Sequence, residues 1–103
     1  MIVRRRVIHV KQGYEEALVK LLKEEIERDD DEAIFTNSYR IYTPNISTYG
    51  VVVLEMEHEN LQKMEALWDA WEASTAYAEF SDKWGELTEQ GGRGEIWNLV
   101  AHR

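Results

Sequence analysis

The sequence predicts an α+β fold in which an antiparallel four-stranded sheet carries its helices on one face. Three observations point to it. Tyr49 to His58, Tyr-Gly-Val-Val-Val-Leu-Glu-Met-Glu-His, has the composition of a central strand. Two later and earlier stretches carry apolar stripes at helical spacing. Short segments rich in β formers stand before and after each of these helical stretches.

The central strand rests on Val51, Val52 and Val53, whose branched side chains restrict χ1 and suit a pleated backbone. Valines on both faces imply cover on both faces, hence a place inside the sheet. Glu55 and Glu57 then put acid at alternate positions. Ahead of it, Ile2 to Val10 reads as a strand through Val3, Val7, Ile8 and Val10, with Gly13 as a break. Tyr14 to about Arg28 reads as a helix. Its stripe is Tyr14, Ala17, Leu18, Leu21, Leu22 and Ile26, with Glu15 and Glu16 in the first turn and Asp29 to Asp31 at the end. Ala33 to Thr43 is a second strand, with Phe35, Tyr39, Ile41 and Tyr42 as β formers. The turn Thr-Pro-Asn-Ile-Ser (43 to 47) makes it a hairpin with the central strand.

Asn60 is placed to cap the next helix, whose stripe is Leu61, Met64, Leu67, Trp68 and Trp71. Ser74-Thr75 marks a joint, after which Tyr77, Phe80, Trp84 and Leu87 continue a helical stripe. Gln90 to Gly94 should terminate it through glycine in the left-handed conformation. Glu95 to Ala101 closes the chain's strands with Ile96, Trp97, Leu99 and Val100. The order β-α-β-β-α(α)-β is the ferredoxin-like split βαβ arrangement, in one domain over 1–103.

Composition narrows the function. A formal net charge of −8 disfavours nucleic acid, whose phosphates would be repelled. The absence of cysteine excludes disulfides, thiol catalysis and thiolate metal sites, and fits a reducing cytoplasm. No apolar run approaches the roughly 20 residues that cross a bilayer, so no membrane role is expected. Met-Ile-Val-Arg-Arg-Arg lacks the apolar stretch of a signal peptide. His9, His58 and His102 form no metal-binding spacing, so neither metal nor cofactor is expected.

The first and third strands are antiparallel neighbours in this topology, so charge matching predicts a register. Arg6 opposite Glu55 sets Arg4 against Glu57, Ile8 against Val53 and Val10 against Val51. Arg40 then stands across from Val51 without a facing acid. The face so defined also takes Thr36, Ser38 and Tyr42. The other face holds Val7, Val52, Leu54, Met56, Phe35, Tyr39 and Ile41, with His9 and His58 on the same side. Being more apolar, that second face should carry the helices. The first keeps valines among its charges, which suggests cover by another copy, a homodimer.

Val-Lys-Gln-Gly-Tyr-Glu-Glu at the first helix, Val-Val-Val-Leu-Glu, the Trp68 helix with Phe80 and Trp84, and the closing Ile-Trp-Asn-Leu-Val together carry a resemblance. The chain resembles the dimeric α/β-barrel superfamily, most nearly the NIPSNAP-like and antibiotic-biosynthesis-monooxygenase-like small domains. The resemblance implies two sheets facing each other as a barrel with helices outside. Such proteins include cofactor-independent monooxygenases, haem-degrading enzymes, isomerases, cyclases and domains of no known activity, so the fold does not give the function. The haem-degrading relatives carry a ligating histidine on the second helix. Leu61 to Ala73 has none. The monooxygenase relatives surround an aromatic substrate with Asn, Trp and Tyr, for which Asn98, Trp68 and Tyr42 are counterparts by type.

Glu55 is the candidate base, because a carboxylate facing a half-apolar cavity gains proton affinity. Its structural alternative is an ion pair with Arg6. Arg4, Arg6 and Arg40 are candidates to clamp an anion, the alternative being that the arginines neutralise Glu55 and Glu57. For Trp68, Trp71 and Trp84 the favoured reading is plain core packing, since aromatic stripes at helical spacing usually face the core. The expectation is a cytoplasmic homodimer that binds a small aromatic or anionic compound. The alternatives are a cofactor-independent monooxygenase or isomerase with Glu55 as base, and a non-catalytic dimerisation or assembly domain.

Overall fold

The computed structural model describes residues 1–46 and 48–103. Its elements are β1 (Ile2–His9), α1 (Glu15–Ile26), β2 (Tyr39–Tyr42), β3 (Val51–His58), α2 (Leu61–Glu72), α3 (Thr75–Leu87) and β4 (Arg93–Asn98). They form one antiparallel sheet of order β2-β3-β1-β4. This is the ferredoxin-like α+β arrangement expected, with β3 inside the sheet as its valines require.

The helix signals resolve as anticipated at their starts. The Asn60 side chain accepts from the Lys63 amide at 2.9 Å, and Ser74 caps α3 by accepting from the Tyr77 amide at 3.3 Å. The ends differ. α1 stops at Ile26, short of the aspartates, and Glu27 is its C-cap. α3 ends on an extended Thr88 rather than on a left-handed glycine; of Gly91, Gly92 and Gly94 that follow, Gly91 alone has positive φ, at 103°. The turn expected over 43 to 47 is described as far as Ile46; Ser47 lies outside the described residues.

β2 is much shorter than the expected 33–43. Before Tyr39 the chain leaves regular pairing, because the Asn37 side chain donates to the Glu57 carbonyl at 2.8 Å and so takes the place of a ladder bond. Phe35 is still buried in the core. With Leu18, Leu22 and Ile26 of α1, Val52, Leu54 and Met56 of β3, and Trp71 and Phe80, it forms the layer between sheet and helices.

The β1–β3 register corrects the charge-matched one by a single residue. Arg5 stands opposite Glu55, Arg6 opposite Leu54 and Val7 opposite Val53. A one-residue shift moves every β1 side chain to the other face. Arg4, Arg6 and Ile8 therefore share the helix-covered face with Val52, Leu54 and Met56, while Arg5, Val7 and His9 take the open one. His58 does lie on the helix side and is 3% exposed. The same alignment continues past the strand ends. Gly50, at φ 72°, brings its carbonyl to the Val10 amide at 2.9 Å. The open face then carries a cross-sheet row, Arg40 on β2, Glu55 on β3, Arg5 on β1 and Glu95 on β4.

The entry into β4 is tight. A Cβ built on Gly92 would lie 2.7 Å from the Val7 carbonyl oxygen, a backbone atom that cannot turn aside. Gly92→Ala is expected to cost about 1–3 kcal/mol, the usual range for forced overpacking. Urea unfolding of wild type and variant checks it, and an unchanged midpoint would mean that β4 starts elsewhere.

Candidate functional site

The charged residues separate onto the two faces of the sheet. On the open face every acid is engaged. Glu55 lies 3.8 Å from Arg5 and accepts the Tyr42 hydroxyl at 3.0 Å. Glu95 lies 3.8 Å from Arg5, and accepts from Arg93 at 2.9 Å and from the Trp97 indole at 3.1 Å. Arg40 is directly across from Glu55 and 4.0 Å from Glu57, with its side chain 66% exposed. It is thus not the partnerless arginine that the sequence suggested, and Glu55 pairs with Arg5 rather than Arg6. Burial, then the Glu55 contact, hold the Tyr42 phenol above its ordinary pKa.

The helix-covered face holds the cavity. It has a volume of about 190 Å³ and is walled by β1, β3 and the three helices. Six aromatic rings line it: Phe35, Trp68, Trp71, Tyr77, Phe80 and Trp84. Trp71 is their centre, making edge contacts with Phe35, Trp68, Tyr77 and Phe80 at centroid distances of 4.9–5.5 Å. These rings reach one another because α2 and α3 each present their apolar stripe to the sheet, at three- and four-residue steps.

Arg4 and Arg6 enter this aromatic site from β1. The Arg4 guanidinium lies 4.0 Å from the centre of the Trp68 ring, and Arg6 lies 5.8 Å from that of Trp84. Such contacts stabilise a cation by about 0.5–2 kcal/mol, less than a buried charge costs. Among the described residues the ion pairs belong to Arg5, Arg28, Arg40, Arg93 and two lysines, and neither Arg4 nor Arg6 forms one. Burial first, and Arg6 second, depress the pKa of Arg4, with Glu72 acting against them. Arg6 Nε and the indole nitrogens of Trp68 and Trp71 are buried with no hydrogen-bond partner. The Cβ position of Gly94, opposite Arg6 on β4, is 3.5 Å from the arginine stem, an ordinary van der Waals distance.

The sequence candidates are therefore divided. Arg6 and Trp68 come together in the cavity; Glu55, Tyr42 and Arg40 come together on the opposite face of the sheet. Asn98 is exposed on β4, opposite Ile2, and does not line the cavity. Arg4, also an expected anion binder, lines the cavity with Arg6, whereas sequence reasoning missed the lining carboxylates Glu25 on α1 and Glu72 on α2. Glu25 could have been found, because Leu18, Leu22, Glu25 and Ile26 share one helical stripe and only one of them is charged. Among the described residues no group of three or more His, Asp or Glu side chains converges as a metal site. No described helix is long and apolar enough to cross a membrane.

His58 closes the core beside this site. Its Nδ1 is 3.5 Å from the Asn37 amide, its Nε2 is buried without a partner, and its pKa is lowered by burial and then by Arg4. The folded state thus takes up this proton less readily than the unfolded chain, whose imidazole titrates near 6.5. Stability from this group is complete above pH 6.5 and is lost as pH falls from there through the depressed folded value. The melting temperature of wild type should drop more steeply between pH 7.5 and about 5.5 than that of His58→Gln. Parallel curves for the two proteins would remove His58 from the effect.

No protein-family profile matches the chain. No curated protein matches it either. Solved structures do. A NIPSNAP-domain protein from Burkholderia xenovorans superposes with a TM-score of 0.78 at 15% identity, over 98% of this chain and 96% of its own. A NIPSNAP-family protein from Agrobacterium tumefaciens gives 0.78 at 14% identity, over 96% and 85%. A Nitrosomonas europaea protein, provisionally assigned as an antibiotic biosynthesis monooxygenase, gives 0.70 at 17% identity, over 98% and 100%. At these identities the likeness is one of fold. The chain has the ferredoxin-like α+β fold of the NIPSNAP-domain and antibiotic-biosynthesis-monooxygenase-like proteins.

Proposed function

We propose that the protein binds a small aromatic anion in the cavity between sheet and helices. The observation that carries this reading is the pair Arg4 and Arg6, two half-buried guanidinium groups with no ion-pair partner among the described residues, set among aromatic rings. Arginine keeps its charge when desolvated, so these groups cannot escape by losing protons. An anion placed between them would remove a standing electrostatic cost and supply acceptors to Arg6 Nε and the two indole N–H groups. A cavity of about 190 Å³ suits one ring, since about 150 Å³ already holds benzene. Trp68 would stack or edge against the ligand, and Arg6 would clamp its charged group.

On this reading the open face is the contact between two copies of the chain. Its valines at 3, 7, 51 and 53 support that role, as do the exposed rings of Tyr42 and Trp97. Glu55, Tyr42 and Arg40 then belong to the dimer contact rather than to the ligand site, and Glu55 is on the wrong side of the sheet to act as its base. The name of the Nitrosomonas protein keeps oxygenation of the bound ring as the nearest catalytic possibility.

Binding is tested by titrating the protein with benzoate and following tryptophan emission, because Trp68, Trp71 and Trp84 all line the cavity. Saturable quenching that weakens with Arg6→Met is expected. No saturable response to benzoate or larger aryl carboxylates at millimolar concentration would end the proposal. Light scattering at micromolar protein tests the dimer, and a monomer there would refute it.

A further inference from the structure

We infer that Glu25 is the group that reads a hydrogen-bond donor on the ligand, so that the cavity selects a small hydroxylated aromatic acid over the plain acid. This deepens the reading of the cavity as an aromatic-anion site and rests on it.

Glu25 sits in the buried stripe of α1 and lines the cavity from the helix wall. Its side chain is only 7% exposed. A carboxylate placed so deep needs compensation, and half of it is visible. Oε1 accepts from Arg28 Nη1 at 3.0 Å. Arg28 is itself fixed by Asp30 at 2.7 Å and Glu32 at 3.4 Å, and its hydrogen bonds to Asp30 and then to Glu25 hold its pKa above the ordinary arginine value. Glu25 is thereby tethered to the helix wall and makes no ion pair with Arg4 or Arg6. Its second oxygen makes no hydrogen bond among the described residues.

The polar inventory of the cavity is consequently divided. The guanidinium groups of Arg4 and Arg6 and the indole N–H groups of Trp68 and Trp71 only donate. Glu25 only accepts. A ligand matching this division carries an anionic group for the guanidinium groups, a ring for the aromatic walls and a hydroxyl for Glu25. A ligand without the hydroxyl would desolvate the Glu25 carboxylate and return nothing to it. Sites of that kind discriminate strongly against the analogue lacking the donor.

The test is calorimetric titration of the full chain with benzoate, 3-hydroxybenzoate, 4-hydroxybenzoate and the two corresponding methoxybenzoates. At least one hydroxy acid should bind about tenfold or more tighter than benzoate, the worth of one hydrogen bond to a charged acceptor. Its methyl ether, which has lost the donor, should forfeit that advantage. In Glu25→Gln the preference should shrink to about twofold or less, because benzoate, no longer desolvating a carboxylate, should bind tighter than it does to wild type. Should Glu25→Gln fail to fold, the hydroxy-against-methoxy comparison in wild type decides alone. Equal binding of benzoate and both hydroxy acids by wild type would overturn the role of Glu25 and leave the anion site standing. Binding of none of the five would overturn both.

Discussion

Trp71→Ala will leave the protein mostly or wholly unfolded. Trp71 is buried in contact with four other rings, at centroid distances of 5.5, 5.1, 4.9 and 5.0 Å. Truncating a core tryptophan costs about 3–5 kcal/mol, because transfer energy is lost and a cavity remains. A domain of 103 residues should lie toward the lower part of the usual range of about 5–15 kcal/mol. The loss therefore consumes most of the available stability. Trp71→Phe keeps a ring in place and removes an indole N–H that has no partner, so it should cost much less. Circular dichroism against urea for the three proteins gives the measurement. A deficit below about 1 kcal/mol for the alanine variant would show that the ring cluster is not the centre of the core.

Arg6→Met will do the opposite to stability while damaging binding. Methionine matches the length of the arginine stem and adapts to irregular space. It removes a buried Nε without a partner and the repulsion that Arg6 exerts on Arg4. The free energy of unfolding should rise by about 1 kcal/mol, within the range for relieving an unsatisfied buried group. Benzoate affinity should fall by about 10–100-fold, the equivalent of one charge-assisted contact. Residues kept at a cost in stability are expected at sites selected for something other than folding. If the variant binds as well as wild type, Arg6 is not part of the site. If it unfolds, the guanidinium is structural.

The element order, the interior position of β3 and the caps at Asn60 and Ser74 were legible because each rests on local chemistry: branched side chains, stripe spacing and a capping oxygen. The register was not. Arg4, Arg5 and Arg6 are consecutive, so sliding β1 by one residue still sets an arginine against Glu55. Val51, Val52 and Val53 blur the faces in the same way. Charge and hydropathy are thus nearly degenerate between the two alignments. The more conventional alignment kept Arg4 and Arg6 away from the helices. That preference hid the cavity, since the site exists only because two arginines break the pattern of the buried face. Asn37 shows a second blind spot, where one side-chain amide replaces backbone pairing and shortens a strand that composition alone would extend.

The row Arg40, Glu55, Arg5, Glu95 also has a symmetry. Its charges alternate across the four strands, positive, negative, positive, negative, so the row is odd under reversal of left and right. Consider two such sheets stacked face to face by a two-fold axis running along the strands. The axis reverses the row, and each arginine comes to stand over a glutamate. An axis running across the strands preserves the order and sets like over like. The same four side chains thus attract in one parity and repel in the other, although their net charge is zero. In such a stack they would act as an orientation key, favouring one of two arrangements that apolar contacts between valines would accept equally.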